Sequence, residues 1–432
     1  MKKKLLSAVL CVAMTATMVA GCGSSNKSDN TADSNAAGNS ATETEAASGP
    51  VASDETVALT LWGAEDDQSM LQEMVDSFEA ANPDQKFDIT IGVQSESTAK
   101  DTVLTDIEAA ADVFAFADDQ LNELVNAGAL QPVQDVDTIT SENSDGSVEA
   151  ATLDGTLYAY PYTADNGYFM MYNKQYLSDE DVQSLDQMLK VAADNGKQIA
   201  MDWSSAWYIY SFFGGAGLDV NLNDDGVTNT CNWNATDTDI KGVDVAQAML
   251  DIAKSGGFKS MTDSEIQTGM ADGTVIAAVE GTWAGEAAKA AWGDNYAAAK
   301  LPTYTVAGEQ VQMSSFAGYK LLGVNAYSKN VGWAMELAKW ITNEENQTLH
   351  FTEKGMGPSN IAAASSDAVK ESVAINALIE QSDYATLQRV GANYWDPVAT
   401  FGAIMVDGNS DNQDLQTLLD NTVDGVTADV VQ

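Results

Sequence analysis

Aromatic and acidic side chains that lie next to loops are the residues of this chain best suited to recognising a small molecule. The chain holds 9 Trp, 14 Tyr and 11 Phe residues, and six aromatics fall within the eleven residues Trp203–Phe213. Sugar rings pack their C–H faces on aromatic rings, and sugar hydroxyls need charged or amide groups in place of water. This combination favours a carbohydrate ligand. The alternative is that most of these rings are core residues; Trp207, Trp283 and Trp395 lie beside loops and are the better candidates for a site.

Acidic clusters follow the predicted strands. They are Glu65-Asp66-Asp67, Asp118-Asp119 and Asp165-Asn166. These side chains can accept hydrogen bonds from sugar hydroxyls. Two of them can also form the acid/base pair of a glycosidase, which requires carboxyl groups roughly 5–9.5 Å apart and one raised pKa. A third interpretation is a merely acidic surface, and the sequence leaves all three open.

Metal and cofactor chemistry has little support in the sequence. Asp219–Gly226 resembles the opening of a calcium-binding loop, but the twelfth position is Thr230, where such a loop needs glutamate. We therefore predict a polar hairpin turn there and no metal site. The single histidine, His350, leaves little room for a catalytic triad or a multi-histidine metal site. Phosphate-binding, dinucleotide-binding, nucleophile-elbow and zinc motifs are missing from the sequence, so we expect no cofactor.

Composition excludes several classes of function. The 432 residues include 64 acids and 20 bases, for a formal charge of −44, which disfavours nucleic acid and charge-driven docking on anionic lipid. Hydrophobic residues make up 45% of the chain, enough for a sizeable core in two or three domains. Three cysteines cannot form a disulfide framework, and we expect Cys231 to behave as a small apolar residue.

The N-terminus has the features of an export signal. Three lysines precede an apolar run that ends in Val19–Cys22, and this ending resembles the lipidation motif of bacterial lipoproteins. An ordinary secretory signal with an incidental cysteine is the alternative. The following residues, to about Asp54, are small and polar, which is typical of a flexible tether. We predict a signal peptide over 1–21, a tether over 22–54, lipidation of Cys22, and a globular part anchored at the extracytoplasmic face of the cell membrane.

The globular part begins with alternating strands and helices. Apolar β-rich runs at Val57–Trp62, Phe87–Ile91 and Ala111–Phe116 are separated by helical periodicity. This alternation predicts an α/β fold with a parallel sheet, whose ligands bind beyond the carboxyl ends of the strands. The loops expected to position functional side chains are therefore Gly63–Asp67, Gln94–Ser97 and Ala117–Gln120.

Several short motifs occur together in a fixed order along the chain. They are Leu59–Trp62, Ala111–Val113 with Leu124–Leu130, Asp154–Pro161, Met171–Lys174, Gly273-Thr274 with Gly281–Trp283, and Leu301–Thr303. With these motifs the chain resembles the extracellular solute-binding lipoproteins of carbohydrate ABC importers, in the maltose-binding protein family, from about Val57 to the C-terminus.

The resemblance implies a fold of two α/β lobes, the type II periplasmic-binding-protein fold, with the ligand in a cleft between lobes joined by hinge segments. It places lobe one in residues 55–163 and 320–366, and lobe two in residues 168–315 and 371–432. The chain then crosses between the lobes near Thr163, near Phe316–Lys320 and near Ser365–Glu371.

The resemblance also implies the ligand-binding residues, position by position. In lobe one the strand-end acid falls on Asp66, followed by Asp67 where the family commonly has lysine. The next loop supplies Phe116, Asp119 and Gln120, where the maltose-binding pattern has Trp, Asp and Arg. The hinge-side acid falls on Asp165, with Asn166 as the alternative. The aromatic platforms of lobe two fall on Trp207, Tyr208, Tyr210, Trp283 and Trp395.

The resemblance implies capture of an oligosaccharide, best matched by a maltooligosaccharide or another α-glucan fragment, and its delivery to the permease subunits of an ABC importer. The protein is then a monomer without enzymatic activity. The rival interpretation is a secreted glycosidase that uses two of the cleft carboxylates, and a reducing-sugar assay separates the two. A binder of a non-sugar solute is a third possibility, which the aromatic content disfavours.

Overall fold

The computed structural model describes residues 50–223 and 225–429. The predicted signal peptide, the predicted lipidation site Cys22 and most of the predicted tether lie outside the described residues. None of the helices in the described ranges combines the length and the apolar character needed to cross a membrane.

The first of two five-stranded sheets is built from both early and late parts of the chain. Its strands, in sheet order, are β2 (Lys86–Val93), β1 (Thr56–Gly63), β3 (Val113–Ala117), β17 (Lys320–Val324) and β6 (Ala159–Thr163). Strand β1 runs parallel to β2 and β3, whereas β17 runs antiparallel to β3 and β6. The sheet, with the helices packed on it, forms lobe one.

The second sheet repeats this pattern of strand directions. Its strands, in sheet order, are β11 (Phe258–Ser260), β8 (Gln198–Met201), β12 (Val275–Glu280), β7 (Phe169–Asn173) and β13 (Tyr296–Ala299). Strand β8 runs parallel to β11 and β12, and β7 runs antiparallel to β12 and β13. This sheet and its helices form lobe two.

The expectation of a parallel sheet is therefore correct only in part, because each sheet contains one reversed strand. The reversed strands, β7 and β17, are the ones that the chain enters directly from the other lobe. A parallel strand needs a long crossover within its own sheet. A strand that arrives from the other lobe has no such crossover and is free to run the other way.

The remaining strands form short two-stranded ribbons. They are β4 (Thr152–Leu153) with β5 (Thr156–Leu157), β9 (Val220–Leu222) with β10 (Asn229–Cys231), β14 (Thr303–Val306) with β15 (Glu309–Gln312), and β16 (Ser315–Ala317) with β18 (Ala385–Leu387).

Helices cover the sheets of both lobes. In lobe one they are α1 (Gln68–Ala81), α2 (Ala99–Thr105), α3 (Leu121–Asn126), α4 (Val136–Glu142), α5 (Asp145–Ala150), α11 (Val331–Ile341) and α12 (Glu344–Lys354). In lobe two they are α6 (Leu185–Asp194), α7 (Ala206–Gly215), α8 (Gly242–Ala253), α9 (Asp263–Asp272), α10 (Gly285–Trp292), α15 (Val373–Ser382), α16 (Trp395–Val406) and α17 (Leu415–Val426). The short helices α13 (Ile361–Ala364) and α14 (Asp367–Lys370) connect α12 to α15. Turns of 3₁₀ helix span Glu65–Asp67, Glu96–Thr98, Asp118–Gln120, Asp181–Gln183, Thr282–Ala284, Gly293–Asn295 and Ala392–Tyr394.

Burial explains why these segments become strands. The side chains of β1 alternate between buried and exposed, whereas β3, β7 and β12 are buried along their whole length. Continuous apolar runs of this kind are typical of central strands covered by helices on both faces. The main core of lobe two is rich in aromatic residues, for example Phe213 stacked on Trp233 with ring centroids 4.1 Å apart.

The chain passes between the lobes at three places. Strand β6 ends at Thr163 and β7 begins at Phe169; β16 ends at Ala317 and β17 begins at Lys320; α13 and α14 form the third connection. The molecule is thus a two-lobed α/β protein whose lobes are joined by hinge segments, as predicted.

Candidate functional site

Two tryptophans of lobe two form an aromatic platform at the end of strand β12. Trp283 lies in the 3₁₀ turn after this strand, and Trp207 lies in the first turn of α7. Their ring centroids are 5.6 Å apart with an interplanar angle of 32°, and both side chains are half-buried. Gly281 allows this arrangement, because a Cβ atom there would lie 2.1 Å from the ring of Trp283.

A buried carboxyl group forms hydrogen bonds that fix the orientation of the platform. The Oε2 atom of Glu280, the last residue of β12, accepts hydrogen bonds from the Tyr208 hydroxyl at 3.0 Å and from Trp283 Nε1 at 2.9 Å. Its Oε1 atom has no partner among the described residues, and the residue is 0% exposed. Burial, and then the nearby charge of Asp263, raise the pKa of Glu280 to about 8.

Lys320 connects lobe one to this platform. It is the first residue of β17, and its Nζ atom lies 5.7 Å from the centroid of the Trp283 ring and 3.6 Å from the Glu96 carboxylate. Burial alone would lower the pKa of Lys320, but the carboxylates of Glu96, Asp165 and Asp67 outweigh burial and raise it. An ammonium group from lobe one therefore faces an aromatic ring of lobe two.

Asp67, His350 and Tyr162 form a buried polar cluster in lobe one. Asp67 Oδ2 lies 3.9 Å from His350 Nε2, and the imidazole ring stacks on Tyr162 with centroids 4.6 Å apart. Burial, followed by the charges of Lys320 and Lys354, lowers the pKa of His350 to about 3, so the imidazole is neutral at neutral pH. Burial and the Glu96 carboxylate raise the pKa of Asp67 to about 6.

The turn after β3 joins lobe one to the segment that follows β18. Asp118 Oδ2 accepts a 2.6 Å hydrogen bond from Arg389, the only arginine in the chain, and its Oδ1 accepts one from the Tyr319 amide at 2.9 Å. The neighbouring Asp119 has one oxygen that is buried without a partner among the described residues. Burial, then the charge of Asp118, raise the pKa of Asp119 to about 7. A cavity of about 60 Å³ lies between this turn and the residues from Arg389 to Ala392.

Asp165 joins a hinge segment to both lobes. Its Oδ2 atom accepts hydrogen bonds from the Thr282 hydroxyl at 2.5 Å and from the Gly357 amide at 2.6 Å. Thr282 lies in the platform loop of lobe two, and Gly357 precedes the third connection between the lobes. The other carboxylate oxygen of Asp165, Oδ1, is buried without a partner among the described residues.

Comparison with known proteins identifies the family. Residues 73–377, well over half of the chain, match the family of bacterial extracellular solute-binding proteins. The chain belongs to this family.

One relative by sequence is the galactooligosaccharide-binding protein of Bacillus subtilis (strain 168). It is 25% identical over 356 residues, which cover 76% of this chain and 78% of the relative.

Solved structures share the two-lobed fold. A protein determined with acarbose is 28% identical and has a TM-score of 0.78, with 86% of this chain and 99% of that chain covered. A maltodextrin-binding protein from L. casei BL23 is 24% identical with a TM-score of 0.72, covering 87% and 100%. A maltose/maltodextrin-binding domain from Bdellovibrio bacteriovorus bound to maltotriose is 18% identical with a TM-score of 0.73, covering 86% and 98%. The last two show the fold alone.

Not every predicted binding residue of this solute-binding protein lies at the cleft. Phe116 is fully buried in the core of lobe one, because β3 is a central strand with helices on both faces. Tyr210 stacks on Phe316 with centroids 4.2 Å apart, and its hydroxyl donates to Thr386 at 2.9 Å. Neither ring presents a free face to a ligand.

Two more predicted residues have their functional groups occupied. The Gln120 side chain donates to the Glu96 carbonyl at 2.7 Å and accepts from the Lys100 amide at 2.9 Å. These bonds connect the turn after β3 to the residues 96–100 of lobe one. The Tyr208 hydroxyl is bound to Glu280.

Two other predicted residues, Asp66 and Trp395, are more accessible. Asp66 is exposed in the turn after β1, and its charge contributes, after burial, to the raised pKa of Asp263 at the start of α9 in lobe two. Trp395 is half-buried against Tyr394, with centroids 5.1 Å apart.

The segment that resembles a calcium loop forms a hairpin, as predicted. Strands β9 and β10 pair antiparallel, and the Asp225 carboxylate accepts hydrogen bonds from the Val227 amide and from the Thr228 amide and hydroxyl. These bonds use the carboxylate within the turn. In the two described ranges, no group of three or more His, Cys, Asp or Glu residues is arranged to hold a metal ion.

The sequence interpretation missed Glu280, Lys320 and Arg389. Two of them carry a signal in the sequence: Glu280 ends a strand that is otherwise apolar, and Arg389 is the only arginine. Lys320 begins a strand that crosses back from lobe two, and its partners are distant in sequence. No local pattern predicts which charges these residues meet.

Proposed function

We propose that this solute-binding protein captures a neutral oligosaccharide, an α-glucan fragment such as a maltooligosaccharide, and delivers it intact to the permease of an ABC importer. The observation that carries the proposal is the Trp207–Trp283 platform, held by a buried carboxyl group and faced by polar groups of lobe one. Flat, fixed aromatic rings with hydrogen-bonding groups opposite them suit a sugar ring. The acarbose in the similar structure that is 28% identical supports the same class.

The binding groups come from both lobes. Trp207 and Trp283 stack the sugar faces, with Trp395 extending the aromatic surface. Asp67 and Asp119 in lobe one have partly buried carboxyl groups that hydrogen-bond sugar hydroxyls, with Asp66 at the edge of the cleft. Only a closed cleft brings both sets to one ligand, so the sugar shifts the population towards the closed form.

The first experiment is calorimetry of the purified protein against maltotriose, acarbose and a galactooligosaccharide, the last because of the relative in Bacillus subtilis. We expect maltotriose to bind in the micromolar range or tighter, about −8 kcal/mol or better. A preference for the galactooligosaccharide would contradict the α-glucan assignment but not sugar capture. Failure of every neutral sugar to bind would contradict the proposal as a whole.

The same samples test the glycosidase alternative. Glu280 and Asp119 have the raised pKa that a general acid requires, so the raised pKa alone does not separate a binder from an enzyme. We expect no new reducing ends and an unchanged oligosaccharide after prolonged incubation. Turnover of the bound sugar would favour the glycosidase.

The family is extracellular, and we propose that the protein is a monomer held at the membrane by a lipid on Cys22. Replacement Cys22→Ala should move the protein from the membrane fraction to the soluble fraction, because a polar tether has no other means of attachment. The matched control is Cys231→Ala, which changes a half-buried cysteine of lobe two and should leave the protein membrane-bound. Cys22→Ala protein that stays in the membrane fraction at wild-type levels would show that lipidation at Cys22 is wrong.

A further inference from the structure

Glu280 occupies an unusual position in the site, and the role inferred for it rests on the proposed sugar-binding function. One oxygen of its carboxyl group accepts both of the hydrogen bonds that orient Tyr208 and Trp283. The other oxygen is buried without a partner among the described residues. More than nine in ten buried polar groups are satisfied in folded proteins, so an orphaned oxygen beside a ligand platform points to a functional role.

The charges around Glu280 oppose its ionisation. Helix α7 contributes the neutral Tyr208 hydroxyl, and the loop after β12 contributes the neutral Trp283 indole and the Gly281 amide. Helix α9 contributes the carboxylate of Asp263, and burial together with this charge outweighs the three donors. Asp263 is itself close to Asp66 and Asp202, which are also acidic. The Lys320 ammonium lies over the Trp283 ring and is engaged by Glu96. A buried carboxylate with neutral donors on one oxygen and a negative charge nearby is costly, so the neutral acid is the stable form.

An ionised Glu280 would need water at its free oxygen. The residue is 0% exposed, and its carboxyl group is in contact with the two side chains that it orients, Tyr208 and Trp283. Water therefore reaches the carboxyl group only if a covering side chain moves, and Tyr208 and Trp283 are the two side chains bonded directly to it. Ionisation and displacement of the aromatic platform are thus coupled.

We propose that Glu280 is a positioning residue which, as a neutral acid, fixes the Trp283 platform for sugar binding, and that loss of its proton releases the platform and weakens binding. The neutral acid keeps its carbonyl oxygen as the acceptor for Tyr208 and Trp283, and it places no charge on the buried Oε1 atom. A pKa of about 8 in the folded protein places the change just above neutral pH.

The direction of the pH dependence is set by this value. The folded-state pKa lies above the ordinary value of 4.5, so the stabilisation associated with the proton is lost as the pH rises through about 8. If only protein with a neutral Glu280 binds sugar, the maltotriose affinity at about pH 9 is about tenfold lower than at about pH 7. The reason is that only roughly one molecule in ten keeps the proton at about pH 9.

The first experiment measures maltotriose binding from about pH 7 to about pH 9 in the wild type, Glu280→Gln, Glu280→Ala and the control Glu286→Gln, an exposed acid on α10. Glutamine reproduces the neutral acid, since its carbonyl accepts the same two hydrogen bonds and its amide replaces the O–H group. We expect Glu280→Gln to bind as the wild type does at the lower pH and to lose the pH dependence. Glu280→Ala should bind weakly throughout, and Glu286→Gln should follow the wild type. Parallel pH profiles for the wild type and Glu280→Gln, or equally weak binding by the Gln and Ala variants, would overturn the proposal.

A second measurement uses the protein without sugar, so that failure of this inference is distinguishable from failure of the proposed function. Tryptophan emission of the wild type should change with a midpoint near pH 8, and the change should vanish in Glu280→Gln and in Trp283→Phe. Melting curves at each pH show that the proteins stay folded. Absence of the emission change in the folded wild type refutes the role of Glu280, whatever the protein binds. Presence of the change in a protein that binds no sugar refutes the sugar ligand alone.

Discussion

At the scale of single residues, partners decide what each buried carboxyl group does. The negative charge of Asp118 is compensated by Arg389 and by the Tyr319 amide. The bond to Arg389 connects the turn after β3 to the segment that follows β18. Asp165 accepts two hydrogen bonds that connect a hinge segment with its neighbours. Glu280, Asp119 and Asp165 each keep one oxygen without a partner among the described residues, and of these Glu280 and Asp119 have a raised pKa. We therefore expect a ligand to affect Glu280 and Asp119 most.

Trp283 and Trp333 provide a matched pair for testing the platform. Replacement Trp283→Ala should weaken maltotriose binding by at least several-fold, because a stacking contact contributes about 0.5–1.5 kcal/mol beyond its buried area. Trp333, on α11, packs edge-on against Phe78 and Phe87, with centroids 6.4 and 5.0 Å away. Trp333→Ala should therefore lower the melting temperature and leave the affinity of the folded protein unchanged.

Calorimetry and thermal melting of both variants without sugar are the required measurements. Normal binding by Trp283→Ala would remove this tryptophan from the proposed site. A loss of binding that is explained by unfolding of the sugar-free variant would have the same consequence.

At the scale of elements, one hairpin supports the segment that carries Arg389. The buried side chain of Asn229, in β10, accepts from the Gly391 amide at 2.6 Å and donates to the Val426 carbonyl at 3.1 Å. These bonds connect the hairpin to the loop after β18 and to the end of α17. Gly391 itself packs tightly, because a Cβ atom there would lie 1.9 Å from the Val227 carbonyl oxygen.

Replacement Asn229→Ala should loosen this loop. It leaves the buried Gly391 amide without an acceptor, which costs about 1–3 kcal/mol. We expect faster amide hydrogen exchange from Arg389 to Ala392 and a lower melting temperature. Asn221→Ala, which alters an exposed residue of the same hairpin, is the control and should leave both unchanged. Equal exchange rates in the two variants would show that the Asn229 side chain does not hold the loop.

Local sequence predicts some elements well and others poorly. Hydrophobic periodicity alone predicts the alternating burial of β1 and the helix that follows it. Trp283 is predicted by a motif beside a strand end. The reversed direction of β7 and β17 depends on where the chain crosses between lobes, which is not a local property. The Asp118–Arg389 pair joins residues 271 positions apart. Phe116, a predicted binding residue, is buried in the structure. A motif gives a position in the chain, whereas the covering helices decide which side chains remain accessible.

At the scale of the whole molecule, the acidic surface should matter little for sugar binding. The formal charge is −44, and removal of a signal peptide with three lysines would make it −47. A neutral sugar releases no counterions, and hydrogen bonds inside a cleft are poorly screened. We expect the maltotriose affinity to change by less than about twofold up to about 1 M salt, where the Debye length is about 3 Å.

Calorimetry across a salt series tests this expectation. Acarbose, which carries a basic nitrogen, serves as the comparison, because attraction between a cation and the acidic cleft should weaken with salt. A steep salt dependence for maltotriose itself would indicate that the natural ligand is charged and would contradict a neutral glucan.

The placement of β17 has a consequence for the order in which the molecule assembles. This strand lies between β3 and β6 in the sheet of lobe one, yet it begins at Lys320, long after β6 ends at Thr163. All five strands of the lobe-two sheet lie between Phe169 and Ala299. A chain that emerges from its N-terminus can therefore complete the second sheet while the first still lacks a central strand. Until Lys320 emerges, β3 and β6 expose unpaired edges, so the sheet of lobe one is completed later than the sheet of lobe two and stays open to incorrect strand pairing for longer.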